Sequence, residues 1–155
     1  MTRKSPAAFV LTALLLAVAA CAPGAPKGID KDKLDDAVGT AIGDPGSCVL
    51  VLQKGSGKVV WRYGSRITCA RGLPSCVGQA TQTIDDVAAA AAKGLEQTQS
   101  CNSLADGSRG VGWVSGTAGD PSRNLAYAAV LESDRALPGR EMKLRLESAF
   151  KKAGM

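Results

Sequence analysis

The chain contains no histidine among its 155 residues. Histidine is the commonest general base near neutral pH, and it is also the commonest nitrogen ligand of zinc and copper. Its absence excludes catalytic groups of the Ser-His-Asp and Cys-His kinds. The cysteines also lack the paired Cys-x-x-Cys spacing that is typical of zinc sites, so a four-cysteine metal site is only an alternative reading. We therefore predict no metal and no cofactor.

The sequence also lacks an apolar run long enough to cross a bilayer. Its longest run, AAFVLTALLLAVAA, occupies positions 7–20, whereas a spanning helix needs roughly 20 residues. Arg3 and Lys4 precede this run, and small residues end it. A cationic start followed by a short apolar segment is typical of a secretory signal. We predict that residues 1–20 are a signal peptide.

The end of that segment, VAAC at Val18 to Cys21, resembles the lipobox of bacterial lipoproteins. The resemblance implies cleavage before Cys21, diacylglycerol on its thiol, and a further acyl chain such as palmitate on its amino group. Two or more acyl chains hold a protein firmly on a membrane. Ala22 stands where an Asp would favour the inner membrane. We therefore expect a periplasm-facing envelope protein, on the outer membrane rather than the inner one.

The mature chain has the size and charge of one small exported domain. Loss of Arg3 and Lys4 with the signal leaves 17 basic against 14 acidic residues, a net charge of +3. This mild excess does not indicate a nucleic-acid partner, which export also disfavours. The Pro- and Gly-rich stretch that starts at Cys21 predicts a lipidated tether over 21–29. Residues 30–155 are long enough for a single domain with its own core.

Four cysteines remain after the anchor, and an even number in an exported domain predicts disulfide bonds. They are Cys48, Cys69, Cys76 and Cys101. Four cysteines allow three pairings. We favour Cys69–Cys76, which would close the loop RITCARGLPSCVGQA, together with Cys48–Cys101. Cys48–Cys69 with Cys76–Cys101 is the alternative.

The periodicity of the mature chain predicts an α+β domain in αββαββα order, with helices packed on an antiparallel sheet of four to five strands. The first helix begins after the N-cap Asp30 and ends at Gly43. SCVLVLQ and KVVWRYG form a hairpin, with Val59, Trp61 and Tyr63 on one face. The second helix, TIDDVAAAAAKGLEQTQ, is capped by Thr83 and buries Leu95 among other apolar residues. GVGWVSG and NLAYAAVLES are strands, and GREMKLRLESAFKKAG is the last helix.

The element order is similar to that of roadblock and profilin-like domains, which are interaction modules that often dimerise. The hairpin VLVLQKGSGKVVWRYGS and the late strands also resemble the core of penicillin-recognising serine enzymes. In those enzymes a Pro-x-Ser-x-x-Lys helix follows the hairpin, and LPSCVGQA occupies that place here, with Ser75 as the candidate nucleophile. The required lysine is missing, because Gly78 stands three positions after Ser75. A serine without a nearby base is not activated.

We therefore expect a non-catalytic module that binds a protein or cell-wall partner or serves a structural role, with a serine hydrolase or DD-peptidase-like enzyme as the alternative. The candidate contacts are arginines in polar loops, because the guanidinium fork suits carboxylates. They are Arg66, Arg71, Arg109 and Arg123. A homodimer is a further possibility. The basic residues of the last helix indicate a solvated face, with contact to anionic headgroups as the alternative.

Overall fold

A computed structural model describes residues 24–155, so the predicted signal peptide, the lipobox and Cys21 lie outside the described residues. The helices are α1 (Lys31–Ile42), α2 (Arg66–Cys69), α3 (Ile84–Ala92) and α4 (Gly139–Lys152). The strands are β1 (Ser47–Gln53), β2 (Val59–Tyr63), β3 (Leu73–Pro74), β4 (Thr81–Gln82), β5 (Gln97–Asn102), β6 (Gly110–Thr117) and β7 (Leu125–Ser133). A short 3-10 turn, Pro121–Arg123, precedes β7.

The main sheet has five strands in the order β2-β1-β7-β6-β5, and every neighbouring pair is antiparallel. β3 and β4 form a separate two-stranded ribbon. The α+β class and the predicted number of strands are confirmed. β7 lies at the centre of the main sheet and is buried along its whole length. β1, its neighbour, is also covered on both faces, as its continuous apolar run CVLVL predicts.

Two hydrophobic cores lie on opposite faces of the sheet. One packs α1 and α4 against residues such as Val49, Trp61 and Tyr127. The other packs α3 against residues such as Leu50, Trp113 and Ala128, and it includes Cys48 and Cys69. The alternation of side chains along β1 and β7 supplies both faces from the same strands. The domain is therefore three layers, with helices covering both sides of the sheet.

The predicted helix starts are confirmed where a side chain caps the backbone. The Asp30 carboxylate accepts a hydrogen bond from the Lys33 amide at 3.0 Å. Thr83 and Asp86 form a reciprocal capping box at the start of α3. Such caps satisfy amides that have no partner inside the helix. α4 buries Met142, Leu146 and Phe150 on the side that packs against the sheet.

The structure contains a strand, β5, whose first three residues the sequence pattern assigns to the second helix. α3 ends at Ala92, and Gly94 takes a φ of +82°, a left-handed conformation that suits glycine. The prediction that Leu95 is buried is wrong, because 62% of its surface is exposed. QTQSCN then pairs with β6 as an edge strand. Its residues alternate between half-buried and exposed, as expected of a strand, although its composition is polar.

The predicted face of β2 is wrong at Val59. The pairing of β1 with β2 shifts register between Val51, opposite Trp61, and Leu52, opposite Val59. A bulge of this kind places one extra residue in a strand and reverses the face of the residues beyond it. Val59 therefore packs against the α3 side, while Trp61 and Tyr63 pack on the α1–α4 side.

The described part of the predicted tether packs on the domain. Ala25 and Ile29 contact the α1–α4 core, and Pro26 is buried. The Ile29 amide donates to the Pro26 carbonyl at 3.0 Å. Arg123 donates to the carbonyl of Lys27 at 3.2 Å. Residues 24–29 are thus held against the domain instead of forming a free spacer.

The loops gather at two ends of the sheet. We call tether end the part formed by residues 24–33, 53–59, 92–97, 117–125 and 151–155, which are joined by backbone hydrogen bonds from Lys54 to Asn124 and from Gly55 to Ala92. We call disulfide end the part formed by residues 42–48, 62–86, 101–110 and 132–141. β7 runs between the two, and its nine residues span roughly 27 Å at the rise of an antiparallel strand.

Candidate functional site

The candidate site is built on a segment that crosses the sheet at the disulfide end. Cys69, at the end of α2, is bonded to Cys48 of β1, and Cys76 is bonded to Cys101 of β5. The favoured pairing, Cys69–Cys76 with Cys48–Cys101, is wrong, and the alternative pairing is the one found. The reason is that Cys69 lies over β1, whereas the chain between the two cysteines carries Cys76 to the opposite edge of the sheet. We call residues 69–76 the crossing segment.

Between its two disulfides, the crossing segment contacts the intervening strands in turn. Arg71 Nη2 lies 2.6 Å from Glu132 Oε2 on β7. The carbonyl of Pro74 accepts a hydrogen bond of 2.7 Å from the Trp113 indole on β6. The segment is therefore fixed to β1, β7, β6 and β5, which follow one another in the sheet. A loop fixed at this many points loses little further conformational entropy when it binds a partner.

Glu132 is a buried carboxylate that gathers two arginines. Its side chain is 4% exposed. Arg109 Nη2 lies 3.3 Å from Oε2 and donates to the Glu132 carbonyl at 3.1 Å, while the Ser103 hydroxyl donates to Oε1 at 2.9 Å. Burial raises the pKa of the Glu132 carboxyl, but hydrogen bonds from Arg109, Ser103 and Arg71 together bring that pKa below its usual value. Two of the predicted contact arginines thus fasten the fold here.

A cleft of about 280 Å³ lies beside the crossing segment, between β2, α2 and the start of α3. Its apolar wall is formed by Leu50, Val59, Cys69, Ala70 and Ile84, and its charged groups are Arg62, Arg66 and Asp85. Within residues 24–155, none of these three charged side chains forms an ion pair. The two guanidinium groups therefore keep their donors for a ligand that carries a carboxylate.

Of the predicted contact arginines, only Arg66 lines this cleft. Arg71 and Arg109 meet at Glu132, and Arg123 lies at the tether end, where it donates to the Lys27 and Gly154 carbonyls. Sequence reasoning missed Arg62. The alternation along β2 indicates on which face of the sheet Arg62 lies, but it does not indicate which other elements border that face. The position of Arg62 on the strand next to Ser65 and Arg66 was the available signal.

Ser75 lies within the crossing segment and is 8% exposed. Its hydroxyl donates to the Val77 carbonyl at 2.9 Å and accepts from the Val77 amide at 3.3 Å. Its own amide donates to Ala80. The residue therefore stabilises a turn of the backbone, next to Cys76, whose φ of +62° is uncommon for a residue other than glycine.

A larger depression lies on the opposite side of the molecule. It is a groove of about 690 Å³ between α1 and α4. Ala37, Ala41, Leu144 and Ala149 give it an apolar floor, and Leu144 is 61% exposed. Asp36, Glu141, Arg145 and Lys152 also line it, but Arg145 pairs with Glu141. We therefore place the candidate site in the smaller cleft, where both guanidinium groups are outside ion pairs in the described chain.

Within residues 24–155, no three cysteine or acidic side chains lie close enough together to hold a metal ion. No helix in the same range combines the length and the apolar composition needed to cross a bilayer.

The chain was compared with protein-family models, with curated proteins and with solved structures, and none of them matches it significantly.

Proposed function

We propose that this chain is a bacterial lipoprotein whose domain faces the periplasm and binds a partner without catalysing a reaction. The observation that carries the proposal is VAAC at Val18 to Cys21, followed at once by a domain with two disulfides. Disulfides of this kind form in oxidising compartments such as the periplasm. Ala22 favours the outer membrane as the site of the anchor.

We assign the binding role to the cleft flanked by Arg62 and Arg66. Its apolar wall offers area for a side chain or a sugar face, and its arginines suit a carboxylate, as carried by an acidic peptide or by a cell-wall peptide. Asp85 provides an opposite charge that can choose the orientation of the ligand. The crossing segment supports the cleft because two disulfides limit its motion.

The environment of Ser75 supports a non-catalytic role. Its hydroxyl is committed to the Val77 backbone, whereas a nucleophile needs a base that removes its proton.

Lipidation is tested by mass spectrometry of the protein purified from membranes. We expect a mature chain that begins at Cys21 and carries two or three acyl chains, and a Cys21→Ser variant that is neither acylated nor cleaved before residue 21. A mature chain without lipid, cleaved elsewhere, would overturn the proposal of an anchor.

Partner binding is tested by a photo-crosslinking amino acid placed in living cells at Arg66, with the same probe at Arg140 as control. Both positions are exposed arginines at the disulfide end, but Arg140 lies on α4, on the other face of the sheet. We expect a discrete crosslinked product at Arg66 that disappears when Arg62 is replaced by Ala. Equal products at both positions, or none at Arg66, would contradict the assignment of the cleft.

The homodimer remains a proposal of lower rank, with the α1–α4 groove as its candidate interface. We expect Leu144→Glu to leave the mass in solution unchanged if the chain is a monomer and to halve it if the groove holds a second copy.

A further inference from the structure

The point at which a lipid anchor would join the domain is fixed by the structure. Gly24 is the first described residue, and three peptide links separate it from Cys21, so the two Cα atoms are at most about 11 Å apart. The chain from Ala25 to Ile29 is packed on the domain and held by Arg123. An anchor at Cys21 would therefore bring the tether end within about one Debye length of the headgroups.

The tether end is the basic part of the molecule. Eight of its basic side chains form no ion pair within residues 24–155, against three such carboxylates. The cations are Lys27, Lys33, Lys54, Lys58, Lys93, Arg123, Lys151 and Lys152, and the carboxylates are Asp30, Asp32 and Asp120. Lys143, by contrast, is shared by Glu96 and Glu147. Positive charge is thus concentrated where the chain leaves the domain.

The disulfide end carries no such surplus. It has six arginines and six carboxylates. Glu132 is included in this count, and Glu141 is left out because it pairs with Arg145. This end contains no lysine at all. The tether end, by contrast, has nine basic and four acidic residues, so its net charge exceeds the +3 of the whole mature chain. The domain is therefore an electric dipole along its strands.

We infer that the tether end is a docking surface for the anionic phospholipid headgroups of the bilayer that holds the anchor. This inference rests on the proposed lipidation of Cys21. Clusters of four to eight basic residues next to a membrane attract anionic lipids, and the attraction adds to that of the acyl chains. Docking would fix the orientation of the strands and hold the disulfide end, which includes Arg66 of the cleft, roughly 27 Å farther into the periplasm, which is the length of β7.

The test uses the acylated protein purified from membranes and reconstituted in vesicles of phosphatidylcholine, alone or mixed with phosphatidylglycerol. Lysine acetylation and arginine modification by phenylglyoxal are followed residue by residue with mass spectrometry. We expect the acetylation rates of Lys58, Lys93 and Lys152 to fall severalfold on the anionic vesicles and to recover in high salt. Modification of Arg66, Arg135 and Arg140 should not change between the two vesicles.

Two triple variants provide matched controls. K58E/K93E/K152E should abolish the protection of Lys27 and Lys151, whereas R66E/R135E/R140E, with the same change of charge at the other end, should keep it. All six positions are exposed and outside ion pairs in the described chain, and thermal unfolding checks that both variants fold.

The outcomes separate this inference from the proposed function. Flotation with both kinds of vesicle but equal lysine rates would overturn docking while leaving the anchor in place. Absence of flotation, with no lipid found on Cys21, would overturn the anchor and the docking with it. Lysine protection that appears in cells but not on anionic vesicles would show that another macromolecule covers this end, and it would also overturn docking to lipid.

Discussion

The two ends of the sheet are fastened by different means. At the disulfide end, two covalent bonds, a buried carboxylate and an indole hydrogen bond fix one segment across four strands. At the tether end, Arg123 joins the start and the end of the described chain through two carbonyls. The lysines there other than Lys31, which pairs with Asp35, form no ion pair within residues 24–155. The first arrangement makes a rigid surface with balanced charge, and the second makes a basic surface, which also has a depression of about 410 Å³ beside Asp120 and Lys151. A fixed loop suits selective binding, whereas exposed basic side chains outside ion pairs suit attraction to a diffuse layer of charge.

The largest expected effect comes from removing a disulfide. Replacing both Cys76 and Cys101 by Ser should lower the free energy of unfolding by about 3 kcal/mol, because the unfolded chain regains the freedom of a closed loop. Urea unfolding measures the change. Amide hydrogen exchange should become faster in the crossing segment. The exchange rate of the Ile29 amide, at the tether end, should change by no more than the loss of global stability accounts for.

The matched control for that experiment is the other bond, with Cys48 and Cys69 both replaced by Ser. Its loop is of similar size, since the sequence separations are 21 and 25 residues. A similar loss of stability is expected. Faster exchange at both ends alike would contradict the view that the two ends are fastened independently.

A smaller effect is expected from Glu132→Gln, which leaves Arg71 and Arg109 without a charged partner. The arginines are partly exposed, so we expect a loss of about 2 kcal/mol instead of the 3–5 kcal/mol typical of a fully buried pair. Glu141→Gln is the control, because its pair with Arg145 is exposed and should contribute at most about 0.5 kcal/mol. Equal losses in the two variants would contradict a special role for Glu132.

The same residue gives a pH dependence with a definite sign. Its pKa is lower in the folded chain than in the unfolded one, so the stability that it contributes is complete above about pH 4.3. That contribution is lost as the pH falls from there through the folded value. The difference in unfolding free energy between the native chain and Glu132→Gln should therefore shrink in acid. A difference that grows in acid would contradict the assignment.

The smallest effect is expected at the tether end. Arg123→Ala removes two exposed hydrogen bonds to carbonyls, so we expect about 0.5 kcal/mol of lost stability and faster exchange of the Ile29 amide. Arg135→Ala, an exposed arginine at the other end, should change neither quantity. No change at Ile29 would show that Ala25 and Pro26 hold the tether without Arg123.

Much of the fold could be predicted from local signals. Asp30 and Thr83 start their helices because a side chain next to the first turn satisfies free amides, and this requires no distant residue. The continuous apolar run of β1 marks it as a strand covered on both faces. β5 could not be found in this way, because an edge strand of polar residues depends on the backbone of β6 and not on its own composition.

The candidate site was less predictable. The residues next to Arg71 and Arg109 in the sequence are of the kinds that surround any exposed loop arginine. Only the position of Glu132 on β7 shows that these two arginines stabilise the fold. Arg62 reaches the cleft because β2 places it beside α2 and α3. Val59 lies in the same cleft because of the bulge, and the bulge arises where β2 pairs with β1.

The sequence by itself determined the type of each strong element, the presence of four cysteines after Cys21 and the VAAC motif from which lipidation is predicted, since each of these is carried by neighbouring residues or by composition. Only the tertiary structure decided which cysteines pair, which arginines are free and where the lysines gather. Those properties depend on the order of strands in the sheet, which brings together residues that lie 20 to 100 positions apart, such as Cys48 with Cys69 and Lys27 with Arg123. Contacts over such separations are chosen by the packing of the whole domain, so no local pattern records them.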